Sequence, residues 1–99
     1  MRFLVVAEPR FQIPMEMLPA VMGGFAAWWE QNKSSWESAG FFAGREGGCG
    51  ICKVKDEMAF HQMMMTWPLA PFSDVKTHAL IDVSDGIAFA NEMISQMGG

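Results

Sequence analysis

A short segment with two prolines, Trp67 to Asp74, joins a helical pattern of apolar residues to a strand-like pattern, and it constrains the fold more than any other part of the chain. Proline has no amide hydrogen and holds φ near −65°, so Pro68 predicts the end of a helix and Pro71 predicts a rigid turn. Residues 75–83 then alternate between two faces, which predicts a β-strand. The chain therefore passes from helix to strand within this segment.

The size and composition of the chain predict one domain that covers residues 1–99. The chain has 99 residues, a formal net charge of −4 and 51% hydrophobic residues, and single domains commonly contain roughly 100–150 residues. A domain this small leaves much of its surface exposed, yet it carries four tryptophans, eight phenylalanines and ten methionines. We therefore expect the protein to form a homodimer or a larger homo-oligomer.

Charge and hydropathy exclude several classes of partner. No apolar run approaches the roughly 20 residues that span a bilayer, and the first eight residues look too short for a signal sequence. These features predict a cytoplasmic protein without a membrane partner. The seven basic residues are scattered and form no stripe that could neutralise phosphates, so we expect no nucleic-acid partner.

Apolar periodicity and turn residues predict the remaining elements. In chain order these are a strand at 2–8, a helix at 19–38, hairpin strands at 41–45 and 50–54, a helix capped by Asp56 that ends before Pro68, a strand at 75–83, and a last helix that begins at Ser84 or Asp85. The last helix is expected to bury a stripe formed by Ile87, Ala90, Ile94 and Met97.

This order of elements predicts an α+β fold of the ferredoxin-like βαββαβ type with an additional C-terminal helix. Its four strands form one antiparallel sheet, and both crossover helices lie on the same face. The other face is left without a cover. Since a second copy commonly covers such a face, we expect a dimer whose two sheets enclose a barrel-like space, that is, a dimeric α+β barrel.

The junction Trp67 to Val75, together with the hairpin that leads into the second helix, resembles that of muconolactone isomerase and its relatives in the dimeric α+β-barrel superfamily. The resemblance in the order of elements covers about residues 1–83. It implies a cofactor-free transfer of a proton within an unsaturated lactone or an aromatic acid. The loop at 9–18 and the pair Gly23 and Gly24 depart from the family pattern, so the resemblance does not identify the substrate.

His78 and Glu8 are the candidate catalytic residues. A shift of a proton needs a base whose pKa lies near the working pH and a cation that stabilises the developing enolate. His78 lies on the more polar face of the predicted fourth strand, which would direct it into the space between two subunits. Glu8 ends the first strand, where it could act as a base. The alternative is that both residues are solvated charges at the edge of a sheet.

Four further residues are candidates for substrate binding. Lys76 and Arg45 would hold an anionic group, while Trp28 and Met64 would form the wall of a pocket. At helical spacing, however, tryptophan and methionine also serve as ordinary core residues. The pocket hypothesis gains weight if the loop at 9–18 folds over the pocket.

Cys49 and Cys52 have the spacing of a redox or metal-binding pair, but they enter a predicted strand and lack a second cysteine pair. We interpret them as free thiols and expect neither a metal nor a cofactor. Three functions stay open: a cofactor-free isomerase, a non-catalytic protein that binds a small hydrophobic or anionic metabolite, and a structural protein that forms oligomers. A cavity without titratable groups would favour the second.

Overall fold

The computed structural model describes residues 1–98 and confirms the α+β order βαββαβ with an additional C-terminal helix. The elements are β1 (Arg2–Pro9), α1 (Leu18–Asn32), β2 (Trp36–Phe41), β3 (Gly48–Lys53), α2 (Glu57–Met65), β4 (Ser73–Leu80) and α3 (Val83–Gly98). The sheet has the order β2-β3-β1-β4, and each neighbouring pair is antiparallel. This is the ferredoxin-like topology that the sequence predicts.

Both α1 and α2 pack on one face of the sheet. The core consists of Val5 from β1, Cys52 from β3, Trp28 from α1 and Met63 from α2, each at most 7% exposed. Trp28 donates a hydrogen bond from its indole Nε1 to the carbonyl oxygen of Met63 at 3.0 Å, which ties the two helices together. Burying the polar end of the indole in this way avoids the penalty of an unpaired donor.

The end of α2 and the following junction agree with the prediction. The carboxylate of Asp56 accepts a hydrogen bond from the amide of Ala59 at 2.8 Å and thereby caps the helix. The helix ends at Met65, before Pro68, and Pro71 lies in a short 3₁₀ turn, Ala70–Phe72, that leads directly into β4.

The predicted boundary between the first helix and the hairpin was wrong. Helix α1 ends at Asn32 and a short 3₁₀ turn follows, so Trp36 begins a strand instead of continuing the helix. The hairpin strands accordingly lie earlier, and residues 42–47 connect them. Gly44 and Gly47 adopt positive φ angles of 77° and 103° in this connection, which glycine tolerates and most residues do not.

The last helix forms where it was expected, but its predicted burial was wrong. Apart from Gly86, which is half-buried, the residues of α3 are exposed, because the helix extends away from the sheet. The stripe that includes Ile87 and Ile94 therefore has no cover within residues 1–98. Among the helices of residues 1–98, none combines the length and the hydropathy that crossing a membrane requires.

Substituting Gly50 with alanine should lower the free energy of unfolding by about 1–3 kcal/mol. A Cβ atom at Gly50 would lie 2.8 Å from the ring of Trp36 and 2.9 Å from the carbonyl oxygen of Ser38. Gly23→Ala in α1 is the matched control, because a Cβ atom there has no neighbour within 4 Å. The control should stabilise the protein by up to about 1 kcal/mol. Urea unfolding measures both, and equal effects would contradict the close packing at Gly50.

Candidate active site

A cavity of about 630 Å³ lies between the sheet, α1 and the loop that follows β1. This volume is within the usual range of small-molecule sites. Its walls are mostly apolar and come from all parts of the fold except α3. Residues that line it include Val5, Phe11, Ile13, Met15, Leu18, Met22, Phe25, Trp28, Trp29, Trp36, Phe41, Met64, Trp67 and Phe72.

The loop at residues 10–17, which we call the lid loop, forms one wall of the cavity. The amide of Arg10 donates a hydrogen bond to the carbonyl oxygen of Phe72 at 2.8 Å, and the ring of Phe11 meets the ring of Phe72 edge-on at 5.8 Å. These contacts hold the lid loop against the end of the junction that precedes β4. Phe11 and Met15 of the lid loop line the cavity, so this loop lies beside it.

The aromatic wall combines close ring packing with one unpaired polar atom. Trp28 meets Trp36 edge-on with ring centroids 6.2 Å apart. Gly50 leaves room for the ring of Trp36, since a side chain there would overlap it. Within residues 1–98, one buried side-chain donor, Nε1 of Trp36, has no hydrogen-bond acceptor in the protein. An unpaired buried donor is costly, and this one has almost no accessible surface on the cavity side.

Two charged residues, Arg45 and Glu46, lie at the edge of the cavity, which we call the mouth. Both belong to the connection between β2 and β3. The guanidinium of Arg45 lies over the ring of Phe42 at 4.2 Å from the ring centroid, and its Nη1 is 3.6 Å from Oε2 of Glu8. A guanidinium that stacks on a ring and is still about half exposed can bind an anionic group.

The structure brings together three of the six candidate residues. Trp28, Met64 and Arg45 line the cavity. Glu8 does not line the cavity, because it alternates along β1 with the lining residues Ala7 and Pro9, but its carboxylate contacts Arg45. Glu8 and Arg45 thus lie next to each other, with Arg45 nearer to the cavity.

His78 and Lys76 lie on the opposite face of the sheet. In β4 they are aligned with Leu4 and Val6 of β1, whereas the neighbouring Thr77 is aligned with the buried Val5. Paired residues in an antiparallel sheet project from the same face, so both basic residues project from the face that the helices leave open. We call this the uncovered face. A catalytic role for His78 and an anchoring role for Lys76 require a second subunit there, and both roles stay predictions, as does the sheet-to-sheet dimer.

Glu46 and the lid loop residue Phe11 are parts of the cavity that the sequence analysis did not select, and Trp36, which helical spacing allowed as either a pocket or a packing residue, lines it from a strand. Glu46 was assigned only to the hairpin turn, and Trp36 was assigned to the first helix. For Glu46, the only signal in the sequence is its position between Gly44 and Gly47, since a glycine-rich connection can direct a charged residue back toward the sheet.

The two cysteines are free thiols on different faces of β3. Cys52 is fully buried in the core and Cys49 is exposed. Burial raises the pKa of the Cys52 thiol, which keeps it protonated and unreactive at neutral pH. Within residues 1–98 no three side chains of His, Cys, Asp or Glu come close enough together to hold a metal ion.

Comparison with solved structures shows the fold of muconolactone isomerase. The match to a crystal structure of that enzyme has a TM-score of 0.72 and 19% sequence identity, and it covers 83% of this chain and 90% of the other. A second match is 5-chloro-2-hydroxyhydroquinone dehydrochlorinase from Burkholderia phenoliruptrix AC1100 in complex with 2,5-dihydroxybenzoquinone. Its TM-score is 0.64 at 16% identity, over 86% of this chain and 98% of the other. No family model and no curated protein sequence matches the chain.

Proposed function

We propose that this protein binds a small planar ring compound with an anionic oxygen group and moves a proton within that compound without a cofactor. The observation that carries the proposal is the cavity of about 630 Å³ with aromatic walls and with Arg45 at its mouth. Apolar walls with a few convergent polar groups are typical of small-molecule sites. Its volume is large enough for a substituted ring.

The polar groups of the cavity support an oxygen-bearing ligand. The guanidinium of Arg45 would pair with a carboxylate or an enolate oxygen, because its planar fork matches such groups. The rings of Trp28 and Phe25 lie nearly parallel at 6.1 Å, and they offer an apolar side wall to the ligand.

Proton transfer is the reaction that these groups support best. Among the described residues, Glu46 is the only one with a carboxylate that lines the cavity. It is the neighbour of Arg45 in the sequence. A carboxylate can remove a proton from carbon beside a carbonyl group when a nearby cation stabilises the resulting enolate. The two solved neighbours are named as a muconolactone isomerase and a 5-chloro-2-hydroxyhydroquinone dehydrochlorinase, and each name gives an oxygen-bearing ring compound as the substrate. A shared fold supplies only a prior for the activity.

A non-catalytic binding protein is the second candidate. It is favoured by the composition of the cavity wall, which contains no histidine among residues 1–98 and has its charged groups only at the mouth. In that case Arg45 holds an anionic hydrophobic metabolite and Glu46 is a solvated residue of the connection. Measurement of proton exchange separates the two functions. The third alternative, a structural protein, concerns the space between two copies and stays a prediction.

Arg45→Gln should weaken the binding of 2,5-dihydroxybenzoquinone about 10- to 100-fold, because a hydrogen bond to a charged group contributes about 1.5–3 kcal/mol. The four tryptophans of the chain provide the signal, since Trp28, Trp29, Trp36 and Trp67 all line the cavity. Quenching of their fluorescence during a titration gives the dissociation constant.

Arg10→Gln is the matched control for this titration. Arg10 is also exposed and also pairs with a carboxylate, that of Asp74 at 3.6 Å, but it does not line the cavity. The two variants lose the same charge, so a general electrostatic effect would weaken binding equally in both. Equal losses, or unchanged binding in Arg45→Gln, would show that Arg45 does not hold the ligand.

A further inference from the structure

The cavity is larger than a single ring requires. Its volume is about 630 Å³, whereas a dry cavity of about 150 Å³ in a protein interior is enough to hold benzene. The cavity is thus about four times as large as the space for one ring. A ring compound whose anionic group is held at the mouth leaves most of the interior available to another part of the same ligand.

The cavity extends inward from its charged mouth along the sheet. Arg45 and Glu46 belong to the connection that joins β2 to β3, and Arg45 lies beside Glu8 near the end of β1. Val5 and Pro9 of β1 both line the cavity, and four residues of a strand span roughly 13 Å. The cavity therefore reaches from the mouth, which is level with Pro9, to at least Val5.

The inner end of the cavity has an apolar lining. Val5 and Trp28 belong to the buried core, and Met64 and Trp67 pack against that core. The ring centroids of Trp28 and Trp67 are 6.4 Å apart. These four residues carry no charge, and all of them line the cavity. A hydrocarbon group placed here exchanges water for apolar contacts, which is favourable, whereas a second charged group would lose its hydration without gaining a partner.

Met64 and Trp67 also line a second cavity, of about 470 Å³, which lies between α2 and β4. These two side chains therefore separate the two cavities. A methionine side chain is unbranched and adapts to irregular spaces. The inner end of the first cavity is thus closed by a flexible side chain, and further apolar space lies behind it.

We infer that the ligand of the first cavity carries an alkyl chain, which extends inward from the ring at the mouth to Met64 and Trp67. The inference rests on the proposed function, since it takes the anionic oxygen of the ring to be held by Arg45. With that group fixed at the mouth, the remaining volume lies inward, between apolar side chains. An unbranched chain fits this elongated space and places no polar atom in the core.

A series of alkylated ligands tests this inference on the full chain. The ligands are 2,5-dihydroxybenzoquinone and its derivatives with an ethyl, butyl, hexyl or octyl group at ring carbon 3. Each added methylene should tighten binding about two- to fourfold until the chain reaches the inner end, because each one is removed from water. Quenching of tryptophan fluorescence gives the dissociation constants. Equal affinities for the unsubstituted and the hexyl compound would overturn the inference.

Met64→Ala tests where the chain ends. Removing this side chain joins the two cavities, so the chain length at which the affinity stops rising should become longer. Met58→Ala is the matched control, because Met58 lies on the same helix, is 61% exposed and lines neither cavity. The control should leave this chain length unchanged. An unchanged chain length in Met64→Ala, or the same shift in both variants, would overturn the inference.

Arg45→Gln separates this inference from the proposed function. It should weaken the unsubstituted and the hexyl compound by the same factor, since both place the ring at the mouth. Binding of the unsubstituted compound that does not depend on Arg45 would contradict the proposed function. If that compound does depend on Arg45 and the hexyl group adds no affinity, only the inference of an alkyl chain is overturned. It is also overturned if the hexyl compound alone is insensitive to Arg45→Gln, because that compound would then bind elsewhere.

Discussion

Replacing Glu46 with glutamine should slow the exchange of deuterium from D₂O into an unsaturated lactone by about 100- to 10,000-fold, the usual contribution of a general base. Glutamine keeps the shape of the side chain but has no basic oxygen, so binding should change little while the exchange rate falls. The exchange is followed by proton NMR on a panel of unsaturated lactones and aromatic acids, beginning with muconolactone. A rate that falls without a matching loss of affinity indicates a role in the chemical step.

Two further variants locate the base. Glu8→Gln should raise the substrate concentration at half-maximal rate more than it lowers the maximal rate, because Glu8 touches Arg45 and lies outside the lining. His78→Ala should leave exchange unchanged if the reaction takes place in the cavity, since His78 lies on the uncovered face. Loss of exchange in His78→Ala with normal exchange in Glu46→Gln would instead place the reaction between two subunits. Absence of exchange in the unmodified protein would favour the non-catalytic binding function.

The order of elements was predictable because local signals dominate it. Pro68 and Pro71 prevent continuation of a helix, and Asp56 provides a cap at the start of α2. After Asp74, the side chains alternate between two faces, and this alternation predicts a strand. The boundary near Trp36 was not predictable in the same way. Its spacing from Trp28 and Trp29 fits a helix, but the pairing of β2 with β3 and the packing of Trp36 over Gly50 decide its conformation.

The site was predictable only where a residue is both on a helix-facing side and near an element end. Trp28 and Met64 satisfy this condition, whereas Arg45 was predicted as a charge at a strand end and lies in the connection after β2; the structure brings all three to one cavity. The cavity itself depends on what is missing from β3, because Gly48 and Gly50 place no side chains between the sheet and α1. The role of Glu46 depends on the path of a glycine-rich connection. Neither feature has a periodicity that a sequence pattern reveals.

Trp28→Ala should lower the free energy of unfolding by about 3–5 kcal/mol, the usual cost of removing a buried tryptophan. Trp28 is 6% exposed and packs near the rings of Phe25, Trp36 and Trp67, at centroid distances of 6.1, 6.2 and 6.4 Å. Since domains of this size have a total stability of about 5–15 kcal/mol, the variant should be close to the limit of folding. Urea unfolding followed by circular dichroism measures the loss.

Two variants separate the contributions of Trp28. Trp28→Phe keeps a ring in the core but removes the hydrogen bond to Met63, and it should cost less than the alanine variant. Trp29→Ala removes a neighbouring tryptophan that is only half-buried and should also cost less. If Trp29→Ala were the more destabilising change, the core would be centred on the other side of α1. The predicted ranking therefore tests which face of α1 contacts the sheet, and with it the position of the cavity that the helix encloses.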